Sequence, residues 1–520
     1  MAKYVAGVDS STQSTKVLVV DSETGNIVRQ GSAKHPDGTE CHPDYWYNAF
    51  LEAVEGVNGL DDIEAISVGG QQHGMVLLDS CGEVIRPALL WNDTRSARAA
   101  EDLIAELGGL FIAKSPAAFE DGHAIDNIGA KAWADAIGSV LVASITVTKI
   151  RWVAAHEPQN AKRIAAVCLP HDWLSWRIAG YGPKSQGLEP NFDALWTDRS
   201  DASGTGYFDC EKNEYRRDLL ELALRPLSEK IGEDGVKELA QSIHLPKVVK
   251  CNEIGAKSIG VEGVIKAGLP VGPGCGDNAG AALGLGLKPG EVSVSLGTSG
   301  VVAAISPVAT HDKSGAINGF ADATGNFLPL ACTLNASRIV DSAKEILGAS
   351  YDEVGELALN AEPGADGLTL VPYFEGERVP NRPTANATLF GMTLANTTRE
   401  NIARAFVEGM LSGQNDGLVL MQKLGVPIEK VFMIGGSMKS PAVRAIAPAV
   451  FGRDITLPVV SEYVALGAAK QAAWILDPQD TPPVWERTGE EVISAPATPV
   501  VNNQYELVKD LQTMGELQSK

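Results

Sequence analysis

Two stretches of the chain, 286 residues apart, follow one plan. Residues 4–21, YVAGVDSSTQSTKVLVVD, run as a β-rich segment, a turn of hydroxyl residues and a second β-rich segment. Residues 291–306, EVSVSLGTSGVVAAIS, repeat the pattern, and laying Thr12 on Thr298 pairs Val8 with Val294, Asp9 with Ser295 and Ser14 with Gly300. A hairpin repeated near mid-chain implies a duplicated architecture with one hairpin per half and two similar lobes facing a cleft. The rest of each half alternates strand and helix patterns, as an α/β fold requires. No linker composition announces the division, which is placed at 288, giving expected domains of 1–288 and 289–520.

Local patterns fill in the halves. IEAISVGG and GMVLLD flank a polar turn at 69–74, and KVFMIGG (430–436) reads as a buried strand running into Gly-Gly-Ser. Thr397 and Glu400 form a capping box ahead of a long helix pattern stopped by Gly425, on which Gly409 and Gly413 share a face. Glycine there predicts close approach of another backbone or a ligand. SPAVRAIAPAVFG reads as a helix with Pro441 near its start, and 181–206 and 372–391 read as long loops broken by Gly and Pro.

Composition excludes some partners. With 65 acidic against 43 basic residues the net charge is −22, a field that repels nucleic acid and anionic membranes, so a polyanionic ligand must be held locally. The 520 residues, 44% hydrophobic and 21% charged, can bury more than one core. The seven cysteines show no metal-binding spacing and read as reduced thiols, and the longest uncharged run, 292–311, suits two buried strands better than a membrane helix. These features predict a cytoplasmic protein with no membrane span.

The stretch GCGDNAGAALGLG, 274–286, sets Asp277 and Asn278 among small apolar residues. Neither a P-loop nor the protein-kinase motifs occur, and although GCGDNA fits a loosened dinucleotide fingerprint, its lead-in is short and broken by proline and Asp277 would oppose a pyrophosphate. The two hairpins hold phosphate differently, through backbone N–H groups and hydroxyls. Asp9, ending the first strand, stands where a Mg²⁺ bridging phosphates needs a carboxylate; a turn-forming Asp is the alternative. Lys16 reads as a solvated strand residue, since its counterpart in the second half is not basic. For Asp277 the alternative is a cap on a helix beginning near Ala279.

GVDSSTQSTKVLVVD, GGQQHG, LLWNDTRS, LPHDWLSWRIAG, SDASGTGYFD, GCGDNAGAALG, SLGTSG, GERVPNRPTANATLFGMTL and FMIGGSMKSPAVRAIAPAVFGRDI occur in the order found in FGGY carbohydrate kinases, and the chain resembles that family over roughly residues 4–475. The resemblance implies an α/β fold of two duplicated, actin-like or ribonuclease-H-like ATPase lobes flanking a catalytic cleft where ATP and a sugar meet. It implies that Asp9, Thr12, Gln13 and Ser14 lie near Mg²⁺ and the terminal phosphates, that Gly297 and Thr298 touch the phosphates from the other lobe, and that Gly435, Gly436 and Ser437 border the adenosine. Asp277 is then the catalytic base, with small neighbours that let the opposing lobe close over it. Gln72, His73, Trp91, Asn92, Asp277 and Asn278 recognise the sugar, although His73 could equally be a structural hydrogen-bonder and Trp91 a core residue. The pairing of QQHG with GDNA is that of members that phosphorylate D-xylulose to D-xylulose 5-phosphate. Another ketose or polyol (L-ribulose, glycerol, gluconate) is the alternative, and a non-catalytic nucleotide switch of the actin or Hsp70 kind shares the fold. The family also implies a homodimer. The chain departs from the pattern at Gln72, where relatives often carry Met, at Cys275, which replaces a common glycine, and at 181–200, which looks longer than usual.

Overall fold

The computed structural model describes residues 3–114 and 125–511. Two compact units are formed, one from Met1–Leu287, Gly319–Leu328 and Ser461–Glu486, the other from Lys288–Asn318, Pro329–Val460 and Arg487–Lys520. The first change of unit lies one residue from the expected boundary. The second unit is not the continuous stretch 289–520, however, because Ser461–Glu486 and Gly319–Leu328 return to the first.

The first unit is built on a seven-stranded sheet in the order Ala256–Lys257, Pro270–Val271, Ile63–Gly70, Tyr4–Ser10, Ser14–Asp21 and Ile27–Lys34, with Cys275–Gly276 also paired to Ile63–Gly70. Its hairpin sets Asp9 opposite Lys16 and Ser10 opposite Thr15. Apolar residues fill both faces, as expected of a strand covered on two sides. Ala6, Val8, Val17 and Val19 pack with Trp46, Phe50 and Ala53 of the helix Asp44–Gly56. Val5, Leu18 and Val20 pack on Ala465, Ala469 and Ala472 of the helix Tyr463–Leu476.

That second helix belongs here because its residues are small. A Cβ on Gly7 would lie 1.9 Å from the Ala465 carbonyl oxygen, and one on Gly467 would lie 1.9 Å from the Gly280 carbonyl oxygen of the helix Asp277–Leu285. Only glycine permits backbones this close. Buried Gln471 ties the crossing to the sheet, accepting from Ser67 Oγ at 2.5 Å and donating to the Gly274 carbonyl at 2.8 Å. A small-residue helix carries no linker composition, which is why its return was not legible in the sequence.

The second unit repeats the hairpin in a sheet in which Gly300–Ala304, Glu291–Leu296, Lys430–Ile434, Ile455–Leu457 and Glu491–Ile493 are neighbours in that order. Thr12 and Thr298 each sit in the middle of a three-residue turn, and in each unit the hairpin's first strand has a parallel neighbour, which ends in Gly69-Gly70 in the first and is followed by Gly435-Gly436 in the second. The helix Arg399–Lys423 is capped by Thr398, whose hydroxyl accepts from Asn401 N at 3.2 Å, not by Thr397. The shift of one residue leaves Glu400 in the second helical position, too early to complete a capping box. Gly409 answers to a close backbone, a Cβ there falling 2.6 Å from the Leu370 carbonyl oxygen, whereas Gly413 meets only Pro372 at 3.7 Å. The helix Pro441–Phe451 begins at proline after the Ser440 cap. The segments expected as loops contain short elements, including the strands Trp196–Asp198 and Thr388–Phe390. Among the described residues no helix is long and apolar enough to cross a membrane, and none of the seven cysteines forms a disulfide.

Adding one methyl at the helix crossing tests this packing. Gly467→Ala must push the helices apart, and overpacking of a tight core costs about 1–3 kcal/mol. The variant should therefore melt several degrees lower, and because Asp277 begins the displaced helix, activity should fall with it. An unchanged melting temperature would show that the helices do not cross this closely.

Candidate active site

In the first unit three parallel strands stop at one level. Asp9 lies opposite Gly69, Ser10 opposite Gly70, and Cys275 and Gly276 opposite the same two glycines. Residues that follow such strand ends collect at the carboxyl edge of the sheet, where open α/β sheets bind ligands. Asp9 to Ser14, Gln71 to His73, and Asp277 with Asn278 all emerge there.

Asp9 is 6% exposed and receives the Ser11 hydroxyl. Burial pushes its carboxyl up to about 6; Ser11 and Lys16 oppose the rise, and Glu462 adds to it. Lys16 is therefore not simply solvated. It pairs with Glu462 at 2.5 Å and its charge reaches Asp9, its partner across the hairpin. Beneath the turn, Thr15 joins His35 Nε2 at 2.8 Å and Ser10 at 3.2 Å. Gln13 is exposed and its carbonyl accepts from His35 N, while Ser14 is half-buried.

Asp277 is the first residue of its helix, with Gly276 at the cap position. Its Oδ1 accepts from Asn278 N at 2.8 Å and Asn278 Nδ2 at 3.0 Å, so it does not cap the helix by binding the later amides. The same Asn278 Nδ2 donates to Gln72 Oε1 at 3.1 Å, joining three of the residues expected to bind sugar. Loss of solvent among close neighbours pushes Asp277 up to about 7, with the Asp9 charge adding to the rise. This half-buried carboxyl takes a proton near neutrality. Among the described residues, Gln72 Nε2 and both amide atoms of fully buried Gln71 have no hydrogen-bond partner.

The other expected sugar residues are held separately. His73 has φ +67, and its Nδ1 meets the Gly204 carbonyl at 2.7 Å while its ring packs tilted on Phe320. Trp91 is not a plain core residue: its Nε1 donates to Thr12 Oγ1 at 2.8 Å, linking an expected sugar residue to the phosphate hairpin. Asn92 turns to the Gly38 carbonyl at 3.3 Å, and no hydrogen bond joins it to Gln72 or Asn278.

In the second unit Ser295 lies opposite Ile434, which places Gly297 and Gly435 on neighbouring strand ends. Gly435 has φ +101, and a Cβ on it would strike the Leu296 carbonyl oxygen at 2.5 Å. Thr298, Gly435 and Gly436 are exposed, and the Ser437 hydroxyl is buried without a hydrogen-bond partner among the described residues. Turns of this kind can present N–H groups to an anion, although the Gly297 N–H here donates to the Ser299 carbonyl at 3.2 Å.

Two buried groups went unseen in the sequence. His171 joins Asp201 through Nδ1 at 2.5 Å and lies 3.2 Å from Asp172 through Nε2. Burial opposes its charge, but Asp172 and Asp201 outweigh it and hold the imidazole up to about 10. Its ring abuts Gly274 and its backbone and Cβ abut Gly70, and nearby Ser200 accepts from Gly276 N at 3.2 Å, so the cluster underlies the turns that carry Gln72 and Asp277. The second group is Lys149, fully buried behind His73. HDW and SDASG stand far apart in the sequence from the turns they support, and no spacing signals their meeting.

The chain is similar to known proteins over nearly its whole length. The N-terminal domain of the FGGY family of carbohydrate kinases matches residues 4–116 and 122–284, and its C-terminal domain matches 292–476. A xylulose kinase of Streptomyces coelicolor is 39% identical over 502 residues, covering 94% of this chain and 92% of the relative. The xylulose kinase of Escherichia coli is 28% identical over 487 residues, covering 91% and 90%. Among solved structures, xylulose kinase from Bifidobacterium adolescentis superposes with a TM-score of 0.91 at 52% identity, covering 98% of this chain and 99% of that one. Plasmodium falciparum glycerol kinase, at 19% identity and TM-score 0.77 over 99% of each chain, shares the fold. The paired sheets are accordingly those of actin-like, ribonuclease-H-like ATPase units, and the chain belongs to the FGGY family of carbohydrate kinases.

Proposed function

We propose that this kinase transfers the terminal phosphoryl group of ATP to the 5-hydroxyl of D-xylulose, in the cytoplasm, as a homodimer. The observation that carries the reading is the match of both chain halves to xylulose kinases, 52% identical over 98% of the chain in one case. Membership of a kinase family makes ATP the donor, and xylulose is the acceptor named for these relatives.

The residues take roles that their surroundings support. Asn278 occupies Asp277 Oδ1 with two donors, leaving Oδ2 to receive the acceptor hydroxyl. As the hydroxyl oxygen bonds the γ-phosphorus and the bond to the β-phosphate oxygen breaks, ADP leaves with the electron pair and the proton passes to Asp277. Gln72, Asn278, His73, Trp91 and Asn92 orient the sugar through amides, imidazole and an indole face. Asp9, Thr12, Gln13 and Ser14 of the first unit, and Gly297, Thr298, Gly435, Gly436 and Ser437 of the second, serve the nucleotide through hydroxyl and backbone N–H groups. A divalent cation fits at Asp9, a buried carboxylate with raised proton affinity in the field of Glu462. Bound there, Mg²⁺ would neutralise phosphate charge.

Substrate choice is tested by ADP release from MgATP with D-xylulose, L-ribulose, glycerol and gluconate. D-xylulose should give the highest kcat/KM. Preference for another acceptor would replace the substrate, and nucleotide binding without sugar-dependent turnover would replace the enzyme by a switch.

Asp277→Asn keeps size and one oxygen but loses the proton acceptor, so kcat should fall about 10²–10⁴-fold. The fold should not suffer. A carboxyl whose folded pKa, about 7, exceeds its ordinary value of 3.8 favours folding at low pH and loses that contribution as pH rises toward 7. At pH 8 the variant should therefore melt no lower than the wild type. An active variant, or one inactive because unfolded, removes Asp277 as base.

The same value sets the pH profile. Transfer requires ionised Asp277, so kcat/KM for D-xylulose should rise with pH and level off above about 7. A flat profile between about pH 5.5 and 8 would contradict a base so perturbed.

A further inference from the structure

The turn that carries His73 is held in a conformation its own chemistry disfavours. A non-glycine residue at φ +67 is uncommon, and such strain persists only where surrounding contacts over-determine it. Two donors from one helix do so here. The His73 carbonyl oxygen accepts Lys149 Nζ at 2.8 Å and Thr146 Oγ1 at 3.2 Å, both from the helix Thr146–His156. The ring is fixed independently, by the Gly204 carbonyl, and a Cβ on Gly204 would fall 2.8 Å from Nδ1.

Lys149 is an expensive way to supply a hydrogen bond. It is 0% exposed, and among the described residues it makes no ion pair. Its second donor goes to another carbonyl, that of Ser144, at 2.5 Å. Burial draws the amine down to about 7, with only the field of Asp93 resisting. A buried cation without a carboxylate costs more than an apolar side chain of equal size, so packing alone does not account for it. Thr146 and Lys149 begin successive turns of the helix and bracket one carbonyl. The helix thus clamps the backbone of a histidine that follows the strand Ile63–Gly70 at the carboxyl edge of the sheet.

We infer that Lys149 is a positioning residue for sugar recognition, holding His73 in its left-handed turn so that the imidazole meets the acceptor. The inference rests on the reading of His73 as a sugar ligand, and the two can fail separately. Lys149 touches neither substrate nor the reacting atoms in this assignment. Its loss should be felt in sugar binding and not in nucleotide binding.

The test is a double-mutant cycle on the full-length enzyme, with KM and kcat for D-xylulose, KM for ATP, and melting temperature measured for Lys149→Met, His73→Ala and the pair. Loss of a charged donor that restrains a strained turn should raise KM for D-xylulose about tenfold or more, with KM for ATP within about twofold of wild type. His73→Ala should do the same, and the double variant should be no worse than His73→Ala alone. If His73→Ala leaves KM for D-xylulose unchanged, the histidine is not a ligand and the inference falls with it. If His73→Ala raises KM but folded Lys149→Met does not, or if the two effects multiply, His73 stays a ligand and Lys149 does not position it. Should Lys149→Met fail to fold, Thr146→Val removes the other donor to the same carbonyl. A rise of about threefold in KM for D-xylulose then upholds the clamp, and an unchanged value overturns it.

Discussion

The candidate site depends on one register. Because Tyr4–Ser10, Ile63–Gly70 and Cys275–Gly276 run parallel and stop level with Gly69 and Gly70, three separate turns deliver Asp9, Gln72 and Asp277 to the same edge. A slip of one residue would turn Asp9 to the opposite face of the sheet and disperse the group. The arrangement is costly to the free protein. Asp9 and Asp277 are both desolvated, and the charge on Asp9 raises the proton affinity of Asp277. Folding alone does not favour holding two such acids together, and under the proposed function a cation at Asp9 and a hydroxyl proton taken by Asp277 would relieve their tension.

Small residues make that register usable. The glycines and alanines after Asp277 were read as space for an opposing lobe to close, but Gly280 and Gly284 meet the backbone of the helix Tyr463–Leu476 within the same unit. They seat that helix. Gly7 admits the same helix against the sheet, and Gln471 ties it to Ser67 and to Gly274, the residue where the Asp277 segment begins. The position of the proposed base is thereby set by residues close to 200 positions away, through contacts that any added methyl would break.

This bears on what could be read from the chain in advance. The hairpins were legible because strand–turn–strand is local, and Thr12 and Thr298 do occupy equivalent turns. The residues around Asp277 were legible because an acid among small apolar residues is conspicuous, and the structure joins Asp277 to Asn278 and Gln72. What escaped was whatever depends on distant segments meeting. Ser461–Glu486 returns to the first unit without any compositional mark. Lys16 looked solvated because its partner Glu462 lies 446 residues on. The capping residue of Arg399–Lys423 was missed by one position because Thr397 and Thr398 are adjacent and chemically alike.

The buried cations complete the logic of the site. Neither His171 nor Lys149 reaches the sheet edge where the acids gather, yet each sits directly behind a turn that does. His171 fills the space left by Gly70 and Gly274 and is held charged by two aspartates; Lys149 is held by carbonyls and pays for burial with a lowered proton affinity. An apolar core could fill either space, but it could not fix a polar turn whose carbonyls need donors and whose backbone is strained. A kinase must hold its acceptor hydroxyl in line within a fraction of an ångström, and loops alone are poor at that. Placing charged groups one layer beneath the binding turns converts them from loops into parts of the core.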